Sequence, residues 1–320
     1  MQLAVIVVSY RRADLLDPCL QSVEEALRRV PPEAELIVVD NASHDGSAQL
    51  VRDSFPAARL IELPENIGFA GAVNRGTAAT EAEWLALVNS DAVVMPDFLA
   101  ELLAHAQNEG VGSCAAQVRF SGRDEINSAG LDVDGLGVAH ERLVGAPLEA
   151  AGGGSAEVFG ASAGAALYRR AMLDDVGGFD ASFFMYLEDV DLAWRARMAG
   201  WRCLYVPGAV AHHHHSASAG HGSSFKHFHV GRNRIRVLAK NADSRLLARR
   251  APAILAYEVG YVTFAALAHR TLAPLRGRLR GLREWGAYRH LGAVTRRPLE
   301  LGSPRGFRAA LARRRAYERY

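Results

Sequence analysis

Trp84-Leu85-Ala86-Leu87-Val88-Asn89-Ser90-Asp91 is a run of five apolar residues that gives way at once to three polar ones. Five residues are too few for a helix but suit a strand buried on both faces of a sheet. The polar triplet then falls at the strand's carboxyl end, where open α/β sheets bind their ligands. Asn89 and Asp91 stand two apart, so an extended backbone can send both side chains the same way. A carboxylate in that place could hold a hard divalent cation, which in turn holds a diphosphate. The same triplet also fits an Asx turn ahead of a helix opened by Met95-Pro96. The surrounding sequence has to decide.

Working outward, the same strand-then-polar pattern recurs. Leu3 to Val8 is apolar and β-branched and runs into Ser9-Tyr10-Arg11-Arg12. A helix follows over roughly residues 14–30, with Leu15, Leu16, Leu20, Val23 and Leu27 near 3.6-residue spacing, stopped by Pro31-Pro32. Glu35 to Val39 predicts a second strand ending in Asp40-Asn41-Ala42-Ser43, and Asp45-Gly46-Ser47 opens the next helix. Arg59 to Leu63 predicts a third strand, and Asn66-Ile67-Gly68 leads into a helix holding Asn74 and Gly76. Four alternations of strand and helix call for a mostly parallel sheet with right-handed crossovers.

Beyond Gly110 the pattern loosens. Residues 111–120 read as a strand, and 121–157 as loops and short hairpin strands with a flexible break at Gly152-Gly153-Gly154-Ser155. Residues 159–168 read as a strand returning to the sheet. A helix over 187–198 carries Glu188, Asp189 and Asp191 in its first turn and is capped by Gly200. Residues 203–206 read as a strand ended by Pro207, ahead of His212-His213-His214-His215.

The net charge of +2 conceals an asymmetry. Residues 1–225 hold 15 Lys and Arg against 30 Asp and Glu, whereas residues 226–320 hold 22 against 5. Such a tail looks for an acidic partner: anionic lipid, nucleic acid or the acidic body itself. Ala251 to His269 approaches membrane-spanning length, but Glu258 in mid-run argues against a span. Residues 273–320 interleave Arg with Leu, Trp and Tyr, as in amphipathic helices lying on an anionic bilayer; helices packed on the body with a solvated Arg face would look similar. Three scattered cysteines, Cys19, Cys114 and Cys203, point to reduced thiols in the cytosol, and the first ten residues lack a basic n-region and cleavage site. The absence of glycine in Ser9-Tyr10-Arg11-Arg12-Ala13 argues against a sugar-nucleotide pyrophosphorylase and a dinucleotide dehydrogenase. A nucleic-acid-binding or scaffold protein using the Arg-rich tail is the alternative, but it leaves three acidic clusters at predicted strand ends and helix starts without a role.

Those clusters, taken in order, resemble a family. Val8-Ser9-Tyr10, Val38-Val39-Asp40-Asn41-Ala42-Ser43 with Asp45-Gly46-Ser47, Asn66-Ile67-Gly68-Phe69-Ala70-Gly71 with Asn74-Arg75-Gly76, Asn89-Ser90-Asp91, Gly177-Gly178-Phe179-Asp180 and Glu188-Asp189-Val190-Asp191 are similar to the motifs of family-2 glycosyltransferases, nearest to the bacterial rhamnosyltransferase-like branch. The resemblance covers residues 3–240. It implies a GT-A fold over 1–225, with a nucleotide-binding half (1–110) and an acceptor half (111–225), followed by a basic helical extension over 226–320. It also implies inverting transfer from a nucleoside-diphosphate sugar, dTDP-rhamnose or similar, to a glycan or polyprenyl-diphosphate-linked acceptor in cell-envelope polysaccharide synthesis. The place would be the cytoplasmic face of the plasma membrane, held peripherally on its anionic surface, with no nucleic acid as partner.

Residue by residue, the resemblance implies nucleotide binding by Ser9, Tyr10, Asp40, Asn41, Asn66, Gly68, Asn89 and Ser90. Asp91 and His213 would hold Mg²⁺ or Mn²⁺, with His212 the next choice. Asn89 stands where the family's D-x-D motif has its first Asp, which leaves more of the metal's charge for the diphosphate. Asp189, or second Glu188, would be the base; Asp191, Tyr186 and Trp194 would meet the acceptor, with pairing to Arg195 an alternative for Asp191.

Overall fold

The computed structural model describes residues 2–214, 223–292 and 298–305. His215 and the arginine-rich stretch 306–320 therefore lie outside the described residues.

The first half alternates as the apolar runs require: β1 (Leu3–Ser9), α1 (Ala13–Leu27), β2 (Glu35–Asp40), α2 (Ser47–Ser54), β3 (Arg59–Glu62), α3 (Gly68–Thr77), β4 (Trp84–Asn89), β5 (Ala92–Val94) and α4 (Phe98–Ala106). Strands β3, β2, β1 and β4 lie side by side and parallel, with Ser9 level with Asp40 and Val8 level with Asn89. All their carboxyl ends therefore open on one edge. Burial on both faces explains the unbroken Val, Ile and Leu runs, which pack into one apolar cluster on each side of the sheet.

The second half continues as β6 (Val111–Phe120), β7 (Ile126–Ser128), β8 (Leu131–Val133), β9 (Ala139–Glu141), β10 (Ala156–Val158), β11 (Ala165–Arg169), α5 (Arg170–Val176), α6 (Glu188–Ala199) and β12 (Arg202–His213). Strand β11 enters antiparallel between β4 and β6, so the sheet is mixed. β11 is shorter than expected because residues 159–164 leave the ladder. Here Gly160 packs against Ala193, and Ser162-Ala163-Gly164 line a cleft instead.

The strand expected to end at Pro207 does not end there. β12 pairs with β6 up to Val206 opposite Ala116, skips residues 207–209 in a bulge, and resumes at Val210 opposite Gln117. A bulge removes the demand for a ladder N–H that proline lacks. The consequence is functional, because β12 carries His212 and His213 onward as strand residues opposite Val93 and Ala92 of β5.

The extension forms α7 (Ser224–Asn241), α8 (Ser244–Ala268), α9 (Ala273–Arg283) and α10 (Trp285–Leu291). Helix α7 is integral to the body: Val237, Leu238 and Ala239 share a core with Leu131, Phe183, Val190 and Trp194. Glu258, in the middle of α8, is buried between Arg234 of α7 (3.1 Å) and Arg278 of α9 (2.6 Å). That arrangement ties three helices together through one buried carboxylate.

Candidate active site

A cleft of about 300 Å³ opens at the carboxyl edge of the sheet, within the size range of small-molecule sites. Tyr10, Asn41, Asn66, Asn89, Ser90 and Asp91 line it from the nucleotide half. Asn127, Glu141, Tyr186, Glu188, Asp189 and His213 line it from the other half.

Asp91 and His213 meet because β5 and β12 are paired. The His214 N–H donates to the Asp91 carbonyl (2.9 Å), which fixes the register and sets His213 Nε2 2.9 Å from Asp91 Oδ1. Asn89 Nδ2 lies 3.4 Å from the same imidazole nitrogen. His212, one residue along an alternating strand, does not line the cleft. One carboxylate oxygen and one imidazole nitrogen thus converge at the sheet edge. Among the described residues no group of three or more His, Cys, Asp or Glu is assembled. That donor set suits a cation which takes its remaining oxygens from a diphosphate and water.

On the nucleotide side, Ser9 and Asp40 lie just beneath the cleft instead of lining it. Asp40 Oδ2 accepts from the Ser43 N–H (3.3 Å), but its Oδ1 and the Ser9 hydroxyl are buried with no hydrogen-bond partner among the described residues. A buried acceptor left unmatched costs about 1–3 kcal/mol, so these atoms are prepared for a ligand or water. Asn41 and Asn66 brace each other: Asn41 Nδ2 donates to Asn66 Oδ1 (3.0 Å), and Asn41 Oδ1 accepts from the Ile67 N–H (3.0 Å). Gly68 is set back from the cleft. Its φ of 79° and missing Cβ let the Phe184 carbonyl approach the start of α3.

The acidic helix start is divided between the cleft and the body. Glu188 and Asp189 reach the cleft. Glu188 is buried, and burial together with the Asp189 charge pushes its carboxyl up to about 8, which favours the neutral form. Asp189 is half-buried, with Oδ2 accepting from the Ala163 N–H (3.4 Å) and Oδ1 from the Val190 N–H (2.8 Å).

Two residues expected to meet the acceptor do not line the cleft. Asp191 is fully buried on the far side of α6, held by Arg195, Lys240 (3.0 Å) and Asn241 (2.8 Å). Trp194 belongs to the core and packs edge-on against Phe159, with ring centroids 5.9 Å apart. Of the three, Tyr186 alone lines the cleft, with the Lys226 ammonium 5.6 Å from its ring centre.

Asn127, His140, Glu141 and Lys226 line the cleft without having been singled out from sequence. The Glu141 carboxylate accepts from the hydroxyls of Ser128 and Ser162. His140 is held by buried Asp134 at 3.1 Å.

The model of the family "Glycosyl transferase family 2" matches residues 4–177. An N-acetylglucosaminyl-diphospho-decaprenol L-rhamnosyltransferase of Mycobacterium tuberculosis is 28% identical over 256 residues, covering 68% of this chain and 78% of that protein. Among solved structures, a mannosyltransferase of Pyrobaculum calidifontis in complex with GDP-Man and Mn²⁺ superposes with a TM-score of 0.55 at 20% identity, over 100% of this chain and 81% of the other. The structure of GalNAc-T7 with UDP, GalNAc and Mn²⁺ gives 0.61 at 15% identity, over 91% and 58%. These likenesses show a GT-A fold. With the family's sequence pattern running from β1 to the end of α5, over the strands whose edge forms the cleft, the chain belongs to glycosyl transferase family 2 and is a glycosyltransferase.

Proposed function

We propose that the protein transfers a hexosyl group, with inversion, from a nucleoside-diphosphate sugar to a polyprenyl-diphosphate-linked glycan during cell-envelope polysaccharide synthesis, with dTDP-rhamnose the leading donor. The observation that carries this reading is the meeting of Asp91 and His213 at 2.9 Å on one wall of a cleft whose other wall presents Asp189. The rhamnosyltransferase likeness over 78% of the relative's length supports the donor and the acceptor class, and the Mn²⁺-bound structures of the same fold support a divalent metal, Mg²⁺ or Mn²⁺.

In this reading the unmatched Asp40 Oδ1 accepts from the pyrimidine ring N–H. Tyr10, Asn41 and Asn66 shape the ribose and diphosphate side, with Asn89 and Ser90 beside the diphosphate. Asp91 and His213 hold the metal, which when bound neutralises charge on the departing diphosphate. Asp189 takes the acceptor hydroxyl proton, the acceptor oxygen bonds to the anomeric carbon, and the diphosphate leaves from the opposite face with the bonding electron pair. Thermal shift with dTDP, UDP and GDP, each with and without Mn²⁺, tests the site. One nucleotide should raise the melting temperature several degrees more with Mn²⁺, and Asp91→Ala should erase the metal-dependent part. A shift that is the same in Asp91→Ala would remove Asp91 from the metal.

The extension supplies a surface suited to the peripheral, cytoplasmic-face location. α9 turns Gly277 and Gly281 inward, where a Cβ would strike the α7 backbone, and leaves Leu275, Leu279 and Leu282 exposed beside Arg276, Arg280 and Arg283. Helix α8 adds exposed Leu255, Val259 and Leu267. α8 (25 residues) is also long enough to cross a membrane, and an 18-residue stretch of it reaches a mean hydropathy of 1.4, but buried Glu258 anchors its midpoint to α7 and α9, which favours lying on the bilayer. Outward leucines flanked by arginines fit an anionic bilayer surface. Replacing Leu275, Leu279 and Leu282 together by Ser should lower partitioning onto phosphatidylglycerol vesicles by at least about tenfold, since each leucine contributes on the order of 1.5–3 kcal/mol when buried. Undiminished binding would exclude this face.

A further inference from the structure

The segment before the catalytic helix has an unusual backbone. Phe184, Tyr186 and Leu187 have φ of 67°, 72° and 66°, so three non-glycine residues within four positions are left-handed. Such clusters persist only where their surroundings over-determine them. Leu187 is the cap of α6, and Glu188 and Asp189 follow at once, so this segment aims both carboxyls.

Two elements grip it. From the nucleotide half, the Ala70 N–H donates to the Phe184 carbonyl (3.4 Å) over the bare Cα of Gly68. From the extension, Asn233 of α7 is fully buried, and its Nδ2 donates to the carbonyls of Phe183 (3.0 Å), Met185 (2.9 Å) and Tyr186 (2.7 Å). Its own Oδ1 is fixed by Arg232 Nε (3.0 Å), whose Nη2 reaches the same Phe183 carbonyl (2.8 Å). One turn on, Arg236 donates to the Ser182 carbonyl (2.5 Å). Two amide hydrogens shared among these carbonyls turn the peptide planes that follow Phe183, Met185 and Tyr186 towards α7, while the Phe184 carbonyl between them turns to α3.

We infer that Asn233 is a positioning residue for glycosyl transfer: it holds the left-handed segment 183–187 and so sets where Asp189 meets the acceptor hydroxyl. The inference rests on the proposal that the base lies in the Glu188–Asp189 pair. It also makes α7, which lies beyond the family match at residues 4–177, a working part of the active site.

The test uses the full chain with Asn233→Ala, and Asn233→Ser as a milder variant that keeps one donor and cannot overpack. Hydrogen exchange should rise over residues 183–190 while the parallel strands stay protected. Exchange unchanged over 183–190, or raised evenly across the molecule, would overturn the clamp whatever the substrate proves to be. With the donor identified by the nucleotide screen, kcat should fall on the order of 10²-fold in Asn233→Ala, the scale of an ångström-sized misplacement, and less in Asn233→Ser. The dissociation constant for nucleoside diphosphate with Mn²⁺ should stay within about twofold. In an Asp189→Asn background, Asn233→Ala should cost little more. Fully multiplicative losses would mean that Asn233 does not act through Asp189. Failure of the base assignment would appear separately, as unchanged turnover in Asp189→Asn alone.

Discussion

An Asp189→Asn enzyme is expected to turn over about 10²- to 10⁴-fold more slowly than the native protein, the contribution of a positioned general base, with nucleotide affinity nearly unchanged. The substitution preserves the side chain's shape and its place at the start of α6. It leaves an amide that cannot accept the acceptor's proton. The neighbouring carboxyl is the poorer base, because burial and the Asp189 charge raise Glu188 and favour its neutral form. Asp189 is the half-buried member of the pair, and its carboxylate accepts from the Ala163 and Val190 N–H groups. Nucleoside-diphosphate release measured with and without acceptor checks the expectation. Glu188→Gln should be the milder of the two, and turnover undisturbed in Asp189→Asn would strip that residue of the role.

The half of this arrangement that was legible in the sequence is the half built from local periodicity. Apolar runs ending in Ser9, Asp40 and Asn89 announced parallel strands, and parallel strands bring their carboxyl ends to one edge whatever the details. His213 was reachable only through the resemblance, because what places it is the bulge after Val206. A proline in a strand pattern normally argues for a stop, and the pairing that overrides it comes from β6 and β5, far away in the chain. Asn127, His140 and Glu141 lie in the stretch with no period to read, where tertiary pairing alone makes strands of three residues. Lys226 and Asn233 were hidden by their setting, since in a helix dense with arginine nothing local separates a solvated residue from one that grips a backbone. Asp191 and Trp194 show the converse, since the structure gives Asp191 the alternative role, pairing with Arg195, and packs Trp194 in the core. Successive helix residues turn by about 100°, so Asp191 stands about 200° from Asp189. If Asp189 faces the cleft Asp191 faces the body; Glu188, only about 60° from Asp191, reaches the cleft because it is the first residue of the helix, so spacing alone separates only the two aspartates.

That opposition gives Asp191 an effect of a different kind. Asp191→Ala is expected to destabilise the fold by about 3–5 kcal/mol, the cost of removing one partner from a buried ion pair. The carboxylate is inaccessible and receives Arg195 Nε (2.9 Å) and Lys240 Nζ (3.0 Å) on one oxygen and Asn241 Nδ2 (2.8 Å) on the other. Without it two buried cations face each other. Lys240 keeps Asp180 at 2.7 Å and Arg195 keeps the carbonyls of Val176 and Gly178, so neither is wholly unpaired, but the buried polar link between α6 and α7 is lost. Asp191→Asn, which keeps the shape and an acceptor oxygen, should cost less. Urea unfolding reads the difference directly as a lower midpoint at unchanged slope. The same experiment separates the buried anchor from the acceptor contact expected from the motif. A residue that binds acceptor would raise the acceptor KM and leave the midpoint where it was. A residue that joins α6 to α7 lowers the midpoint, and whatever remains folded binds acceptor normally.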